Sequence, residues 1–280
     1  MPDRYVVIGN PVAHSKSPWI HAQFARQTGE GIEYGMLTAP LEEFRQTVRR
    51  FRDAGGKGAN VTLPFKEQAY RLAQSLSARA EAAQAVNTLI FSNAGIHGDN
   101  TDGCGLTRDL CVNLDFPLAQ KRVLLVGAGG AARGVLLPLM EADPAALVVV
   151  NRSVDKAQLL VERLAALAAG GPQSSTGTQL RACGFADLAG ERFDLVINAT
   201  SAGLTDAPLA LPPGTFAAGA LAYEMVYGRD TAFMREARAG GASRPADGLG
   251  MLVEQAAESF FLWRGVRPQT ASVLAALRAA

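Results

Sequence analysis

The stretch Arg122-Val123-Leu124-Leu125-Val126 runs straight into Gly127-Ala128-Gly129-Gly130-Ala131-Ala132 and then into an apolar helical pattern reaching about Met140. A short apolar strand that turns on glycine into a helix needs a crossover connection. Crossovers of this kind build parallel sheets with helices covering their faces. Strand and helix signals alternate along nearly the whole chain, so the expected fold class is α/β with mainly parallel sheets.

Other strand signals lie at Tyr5–Gly9, Ala59–Leu63, Asn87–Phe91, Ile96–Gly98, Leu147–Val150, Phe193–Ile197 and Ala220–Val226. Ser17-Pro18 reads as an N-cap followed by proline at the first helical position, with the helix running to Gly29. Further helices are expected at Leu41–Ala54, Phe65–Leu76, Asp102 to about Leu114, from Ser153 up to a stop at Gly170-Gly171-Pro172, Gly250–Arg264 and Thr270–Ala279. Gln173–Thr178 reads as a surface loop. Breaks near 101 and 247 divide the order into a first block of 1–101, a middle block of 102–247 that carries the glycine turn, and closing helices at 248–280 that return to the first block.

The 280 residues suffice for two domains, and 48% hydrophobic content supports a real core. A net charge of +1 gives no global attraction to nucleic acid or anionic lipid. Arg45, Arg49, Arg50 and Arg52 lie with Glu42 and Glu43 on one solvated helix. Cys104, Cys111 and Cys183 form no metal or redox pair, which fits a reducing cytoplasm, and Cys104 and Cys111 read as small packing residues of one helix. The start lacks the apolar core of a signal peptide, and no apolar run approaches the ~20 residues of a membrane span. His14, His21 and His97 show no ligand spacing, so no metal is expected.

Gly127-x-Gly129-x-x-Ala132, between a strand and a helix, matches the context of a dinucleotide fingerprint. Gly127 permits the tight turn, Gly129 lets the backbone approach a pyrophosphate, and Ala132 lets helix and strand pack. The amides of Gly130 and Ala131, with the helix dipole, suit an anion. At the end of the next strand an acidic residue would hold an NAD ribose. This chain has Asn151-Arg152-Ser153, where Arg152 can pair with the 2′-phosphate of NADP. The plainer alternative is an exposed helix-start arginine, but a cation is disfavoured at a helix N-terminus.

Asn60-Val61-Thr62-Leu63-Pro64-Phe65-Lys66 and Asn100-Thr101-Asp102 flank the strand that opens with Asn87. Together they offer an amine, a carboxylate, amides and hydroxyls, which suit a small polyhydroxylated molecule and the movement of one proton. Lys66 stands in the first turn of its helix, against the positive dipole end, a mildly unusual place for a purely solvating lysine, although an exposed lysine is the plainer reading of this residue taken alone. Asp102 reads as an N-cap, a role compatible with holding the Lys66 ammonium.

Read together, these residues resemble the shikimate dehydrogenase family. The likeness runs from Gly9-Asn10-Pro11 and His14-Ser15-Lys16-Ser17-Pro18 through Ala85-Val86-Asn87-Thr88, Asn100–Gly103, Gly127–Ala131 and Asn151–Ser153. It continues with Asn198-Ala199-Thr200-Ser201 and Asp247–Ala257. The resemblance implies a substrate domain completed by the C-terminal helices (1–101 with 248–280) and a Rossmann-type NADP-binding domain (102–247). It implies NADPH-dependent reduction of 3-dehydroshikimate to shikimate in aromatic amino acid (chorismate) biosynthesis, in a cleft between the domains, by a monomer or homodimer. Lys66 and Asp102 would be the catalytic pair. Ser15 and Ser17, helped by Tyr227, would bind the substrate carboxylate; Asn60, Thr62, Asn87, Asp102 and Gln255 would surround the ring hydroxyls. Gly127, Ala128, Gly129, Gly130, Ala131 and Thr200 would cradle the dinucleotide, Asn151, Arg152 and Ser153 its 2′-phosphate, and Gly248 and Met251 would lie near the nicotinamide. Ser153 stands where the family often has threonine, and Gln84 where glycine is common. Two rival readings are an NAD-using quinate/shikimate dehydrogenase of the same fold and a binding protein without turnover.

Overall fold

A computed structural model describes residues 1–169 and 177–279. The expected stop at Gly170-Gly171-Pro172 and most of the loop at Gln173–Thr178 lie outside the described residues. The chain divides into one unit of Met1–Gly105 with Leu252–Ala280 and another of Leu106–Met251.

The first unit carries strands β1 (Asp3–Gly9), β2 (Ile32–Thr38), β3 (Gly56–Val61), β4 (Ser75–Leu76), β5 (Thr88–Ser92) and β6 (Gly95–Asp99). They form one sheet in the order β2-β1-β3-β5-β6-β4. β1 runs parallel to β2 and β3, while β5 is antiparallel to both β3 and β6, so this sheet is mixed. Gly95, at φ +124°, makes the β5–β6 turn in a conformation that strains other residues. Ile8, Val61, Phe65, Leu89 and Ile96 bury one face under the helix Phe44–Asp53, which contributes Phe44, Val48 and Phe51. Arg45, Arg49 and Arg50 of that helix are exposed, as a solvated face requires.

The C-terminal helices Leu249–Arg264 and Ala271–Ala279 complete this unit. Trp263 Nε1 donates to the Leu89 carbonyl at 3.1 Å, and Arg264 Nε to Glu30 Oε2 at 2.7 Å. The helix Ser17–Thr28 includes Ser17 itself, and Lys16 precedes it without a side-chain cap. Ser17 is therefore not the N-cap; its amide donates to Ser15 Oγ at 3.2 Å, which supplies the cap from further upstream.

The second unit holds β7 (Arg122–Val126), β8 (Ala146–Val150), β9 (Gln179–Cys183), β10 (Phe193–Asn198), β11 (Phe216–Glu224) and β12 (Arg244–Asp247). Their order β12-β11-β10-β7-β8-β9 is wholly parallel, the doubly wound arrangement of a Rossmann-type domain. Alternate residues feed two cores. Val123, Leu125, Leu147, Val149 and Ile197 face one side, and Leu124, Val126, Val148, Val150 and Val196 the other. Strands covered on both faces read as continuous apolar runs, which is why β7 and β8 are visible in the sequence. The helix begun at Asp102 continues past Arg108 as a π-helical turn over Asp109–Asn113. Cys111 on that turn is exposed, so it is not the packing residue expected of it; Cys104 is half-buried and Cys183 buried.

Candidate active site

Lys66 opens the helix Lys66–Leu72, anchored just ahead by the fully buried Phe65. Its Nζ lies 2.6 Å from Asp102 Oδ2. Asp102 is the first residue of its helix rather than the residue before it, and its amide donates to Asn100 Oδ1 at 3.1 Å. The expected cap is thus supplied by Asn100, and the Asp102 carboxylate is turned to Lys66 on one oxygen and to Asn87 Nδ2, at 2.8 Å, on the other.

Behind this pair lies a buried polar network. Asn87 Oδ1 accepts the Thr101 amide at 2.9 Å. Asn60 Nδ2 donates to the Asn87 carbonyl at 3.2 Å, to Thr88 Oγ1 at 3.1 Å and to Ser259 Oγ at 3.0 Å, while its Oδ1 accepts the Tyr34 hydroxyl at 2.7 Å. Ser259 Oγ donates to the Gln255 carbonyl at 3.0 Å, and Gln255 Oε1 lies 3.4 Å from Asn87 Nδ2 and from Thr101 Oγ1. Tyr34 and Ser259 were not singled out by sequence, and Thr88 only as part of the stretch Ala85-Val86-Asn87-Thr88. Ser259 sits one helical turn beyond Gln255, a spacing that would have placed both on one face.

Ser15 is half-buried and Ser17 buried at the head of their helix. Thr62 follows β3, with its methyl group against Gly9, where an added Cβ would come within 2.5 Å of it. Tyr227 belongs to the second unit, half-exposed beyond β11, where burial raises its phenol.

In the second unit, Gly127 sits at φ +111°, and a Cβ there would meet Thr200 Cγ2 at 3.0 Å and the Ala199 carbonyl at 3.1 Å. Gly129 faces open space, and Gly130 begins the helix Gly130–Glu141 with Ala131 in its first turn. Ala128 lies between the two glycines. The turn therefore fits a pyrophosphate brought close to its backbone and to a helix N-terminus. Beyond β8, Asn151 Nδ2 donates to the Ser153 carbonyl at 2.9 Å, and Arg152 is exposed with no ion-pair partner among the described residues. With no carboxylate in this turn, the residues fit a 2′-phosphorylated dinucleotide. Gly248 has a packing reason as well: a Cβ would lie 2.2 Å from the Met225 carbonyl oxygen. Met251 is buried in the core of this unit.

Two further features belong to the first unit. Arg79 clamps Asp99 with bonds of 2.6 and 3.0 Å, just ahead of Asn100. Burial alone would raise the Asp99 carboxyl, but the Arg79 guanidinium and the Ser77 hydroxyl hold it below the usual carboxylate range. His21 is fully buried, stacked on Tyr34 at 4.1 Å. Among the described residues, no cluster of His, Cys, Asp or Glu could hold a metal ion, and no helix is long and apolar enough to cross a membrane.

A Rossmann-type unit with a 2′-phosphate-compatible turn, in one chain with a lysine–carboxylate pair, defines a nicotinamide-dependent oxidoreductase. The chain matches the family descriptions "Shikimate dehydrogenase substrate binding domain" at residues 7–89, "Shikimate / quinate 5-dehydrogenase" at 112–204 and "Shikimate 5'-dehydrogenase C-terminal domain" at 248–278. It belongs to the shikimate dehydrogenase family. It is 61% identical over 277 residues to the shikimate dehydrogenase (NADP(+)) of Aromatoleum aromaticum, covering 99% of this chain and 97% of that protein. With the corresponding protein of Methylobacillus flagellatus it shares 60% identity, covering 99% and 100%. Among solved structures, shikimate 5-dehydrogenase from Thermus thermophilus, in complex with NADP(H) and shikimate, superposes with a TM-score of 0.83 at 33% identity, covering 99% of each chain.

Proposed function

We propose that this chain catalyses the reversible NADPH-dependent reduction of 3-dehydroshikimate to shikimate, within aromatic amino acid (chorismate) biosynthesis. The observation that carries the reading is the Lys66 Nζ–Asp102 Oδ2 contact of 2.6 Å, with Asn87 on the second carboxylate oxygen. When bound, NADPH supplies the hydride that reduces the ring ketone. The Lys66 ammonium gives its proton to the ketone oxygen as that oxygen gains negative charge, and in the reverse direction takes it from the hydroxyl. Asp102 holds the ammonium in place and accepts a neighbouring substrate hydroxyl. Ser15, Ser17 and Tyr227 bind the substrate carboxylate through their hydroxyls, and Asn60, Thr62, Asn87 and Gln255 surround the ring hydroxyls. Gly127, Ala128, Gly129, Gly130, Ala131 and Thr200 would hold the pyrophosphate side of NADP, Asn151, Arg152 and Ser153 its 2′-phosphate, and Gly248 and Met251 its nicotinamide side. A net charge of +1 favours a small-molecule substrate over nucleic acid or a membrane surface; the three unpaired cysteines fit a reducing cytoplasm, where the enzyme works as a monomer or homodimer.

The test is steady-state kinetics, read by nicotinamide absorbance, with shikimate or quinate and NADP or NAD. Shikimate with NADP should give the highest kcat/KM. Absence of turnover with that pair overturns the activity, and equal kcat/KM for the two cofactors overturns the cofactor choice.

A further inference from the structure

The carboxyl ends of the central strands in the second unit form a row. Val126 of β7 lies opposite Asn198 of β10, and Asn198 lies opposite Glu224 of β11. Ligands of doubly wound sheets bind beyond these strand ends. Glu224 and Asn198 are both fully buried; Asn198 bonds Thr200, one of the positions expected to hold the dinucleotide, and Glu224 bonds Asn198 in turn.

The donors around the Glu224 carboxylate include a backbone amide, which can only donate. Oε1 accepts the Val226 amide at 3.1 Å, and Oε2 accepts Asn198 Nδ2 at 2.8 Å and the Thr231 hydroxyl at 2.9 Å. Asn198 Oδ1 in turn accepts both the amide of Thr200, at 3.0 Å, and its hydroxyl, at 2.7 Å. A backbone amide can only donate, so the Asn198 carboxamide must present oxygen to Thr200 and nitrogen to Glu224. Thr200, held this way, rests its methyl group where a Cβ on Gly127 would come within 3.0 Å. The Glu224–Asn198–Thr200 chain thus ends against the fingerprint turn itself. On the other side, Glu224 Oε1 fixes the amide just beyond Met225, whose carbonyl packs against Gly248.

We propose that Glu224 is a positioning residue for NADP(H): acting through Asn198, it holds Thr200 against Gly127 and so presets the dinucleotide cradle. The inference rests on the NADP reading of this unit. Both carboxylate oxygens face donors, so an amide at this position cannot satisfy both sides. Glu224→Gln would set its NH₂ against either the Val226 amide or the Asn198 nitrogen, and the second conflict is relieved only by flipping Asn198, which sets nitrogen against the Thr200 amide.

The test is direct NADPH binding, followed by nucleotide fluorescence, beside shikimate binding measured separately. Glu224→Gln should raise the NADPH Kd by about tenfold, and Glu224→Asp, which keeps two acceptors, should recover most of it. Asn198→Ala should weaken NADPH comparably, with Glu224→Gln adding little in that background, because the two act in series. Shikimate affinity should stay unchanged throughout. A normal NADPH Kd in folded Glu224→Gln, or full additivity with Asn198→Ala, overturns the inference. If Glu224→Gln does not fold, Asn198→Ala decides alone, and an unchanged Kd there overturns it. A parent protein that binds no NADPH overturns the cofactor reading as well.

Discussion

Asn87 donates from Nδ2 to Asp102 Oδ1 at 2.8 Å while its Oδ1 accepts the Thr101 amide at 2.9 Å. Because the Thr101 amide can only donate, it fixes which end of the Asn87 carboxamide faces Asp102. One asparagine therefore sets the carboxylate that holds Lys66. Asn87→Leu would leave the buried Thr101 amide and one Asp102 oxygen unpaired, at about 1–3 kcal/mol each. The urea midpoint should fall accordingly, and kcat/KM for shikimate should fall with it. Unchanged values for both would show that Asn87 orients nothing.

Lys66 is the one cation bonded to Asp102, at 2.6 Å, among the described residues. Lys66→Ala should lower kcat by about 10²–10⁴, the usual contribution of one general acid or base. NADPH affinity should be unaltered, since the cradle belongs to the other unit. A kcat near the parent value would remove Lys66 from proton transfer.

Arg152 is exposed, so only a ligand gives its guanidinium a fixed partner among the described residues. Arg152→Ala should remove a charge-assisted bond worth about 1.5–3 kcal/mol, raising the NADP Kd by roughly one to two decades. The NAD Kd should barely move. Equal losses for both dinucleotides would place Arg152 away from the 2′-phosphate.

Gln84 ends the short helix Ala78–Ala83 at φ +49°, ψ +34°, the left-handed region. This explains why glycine is common there in the family: glycine adopts that conformation without a Cβ clash. Gln84→Gly should stabilise the protein by up to about 1 kcal/mol, the left-handed penalty less the extra freedom glycine gains when unfolded. Thermal unfolding reads the change, and a lower Tm would contradict it.

The sequence-visible strands are the eight interior ones, whose residues are covered by neighbours on both edges. The four missed strands, β2, β4, β9 and β12, are the four sheet edges. An edge strand buries less, so β2 and β9 mix charged and exposed residues with apolar ones. β12 carries Pro245, which an edge tolerates and an interior strand does not. The helices Ala78–Ala83 and Ala232–Ala239 were missed for a related reason: they are too short for a helical period to stand out. In the site, residue types pointed to an amine, a carboxylate and amides, and the family resemblance paired Lys66 with Asp102 across 36 residues. The polarity of each carboxamide depends on a facing backbone group, which spacing cannot show. Tyr34 enters only because β2 lies one strand away from β3, across β1, and Ser259 only because the helix Leu249–Arg264 reaches Asn60 and Thr88.

His21 supplies a pH test. It is fully buried, packed among Tyr34, Phe24, Phe260 and Trp263, and neither ring nitrogen has a hydrogen-bond partner among the described residues. Burial pushes its pKa from 6.5 down to about 3, opposed only in part by the neighbouring Asn60 side chain. The folded protein thus holds a neutral imidazole that the unfolded chain protonates below pH 6.5. The stability this neutral form contributes is complete above that pH and is lost progressively as pH falls towards 3. Each pH unit within the window is worth about 1.4 kcal/mol, so acidification to pH 5 should cost about 2 kcal/mol from this group. His21→Phe keeps a ring to stack on Tyr34 and has no proton to bind. Urea unfolding at pH 7.5 and pH 5 should show a smaller acid loss in the variant by about that amount. Identical losses in parent and variant would mean that His21 binds its proton equally well in the folded and unfolded states.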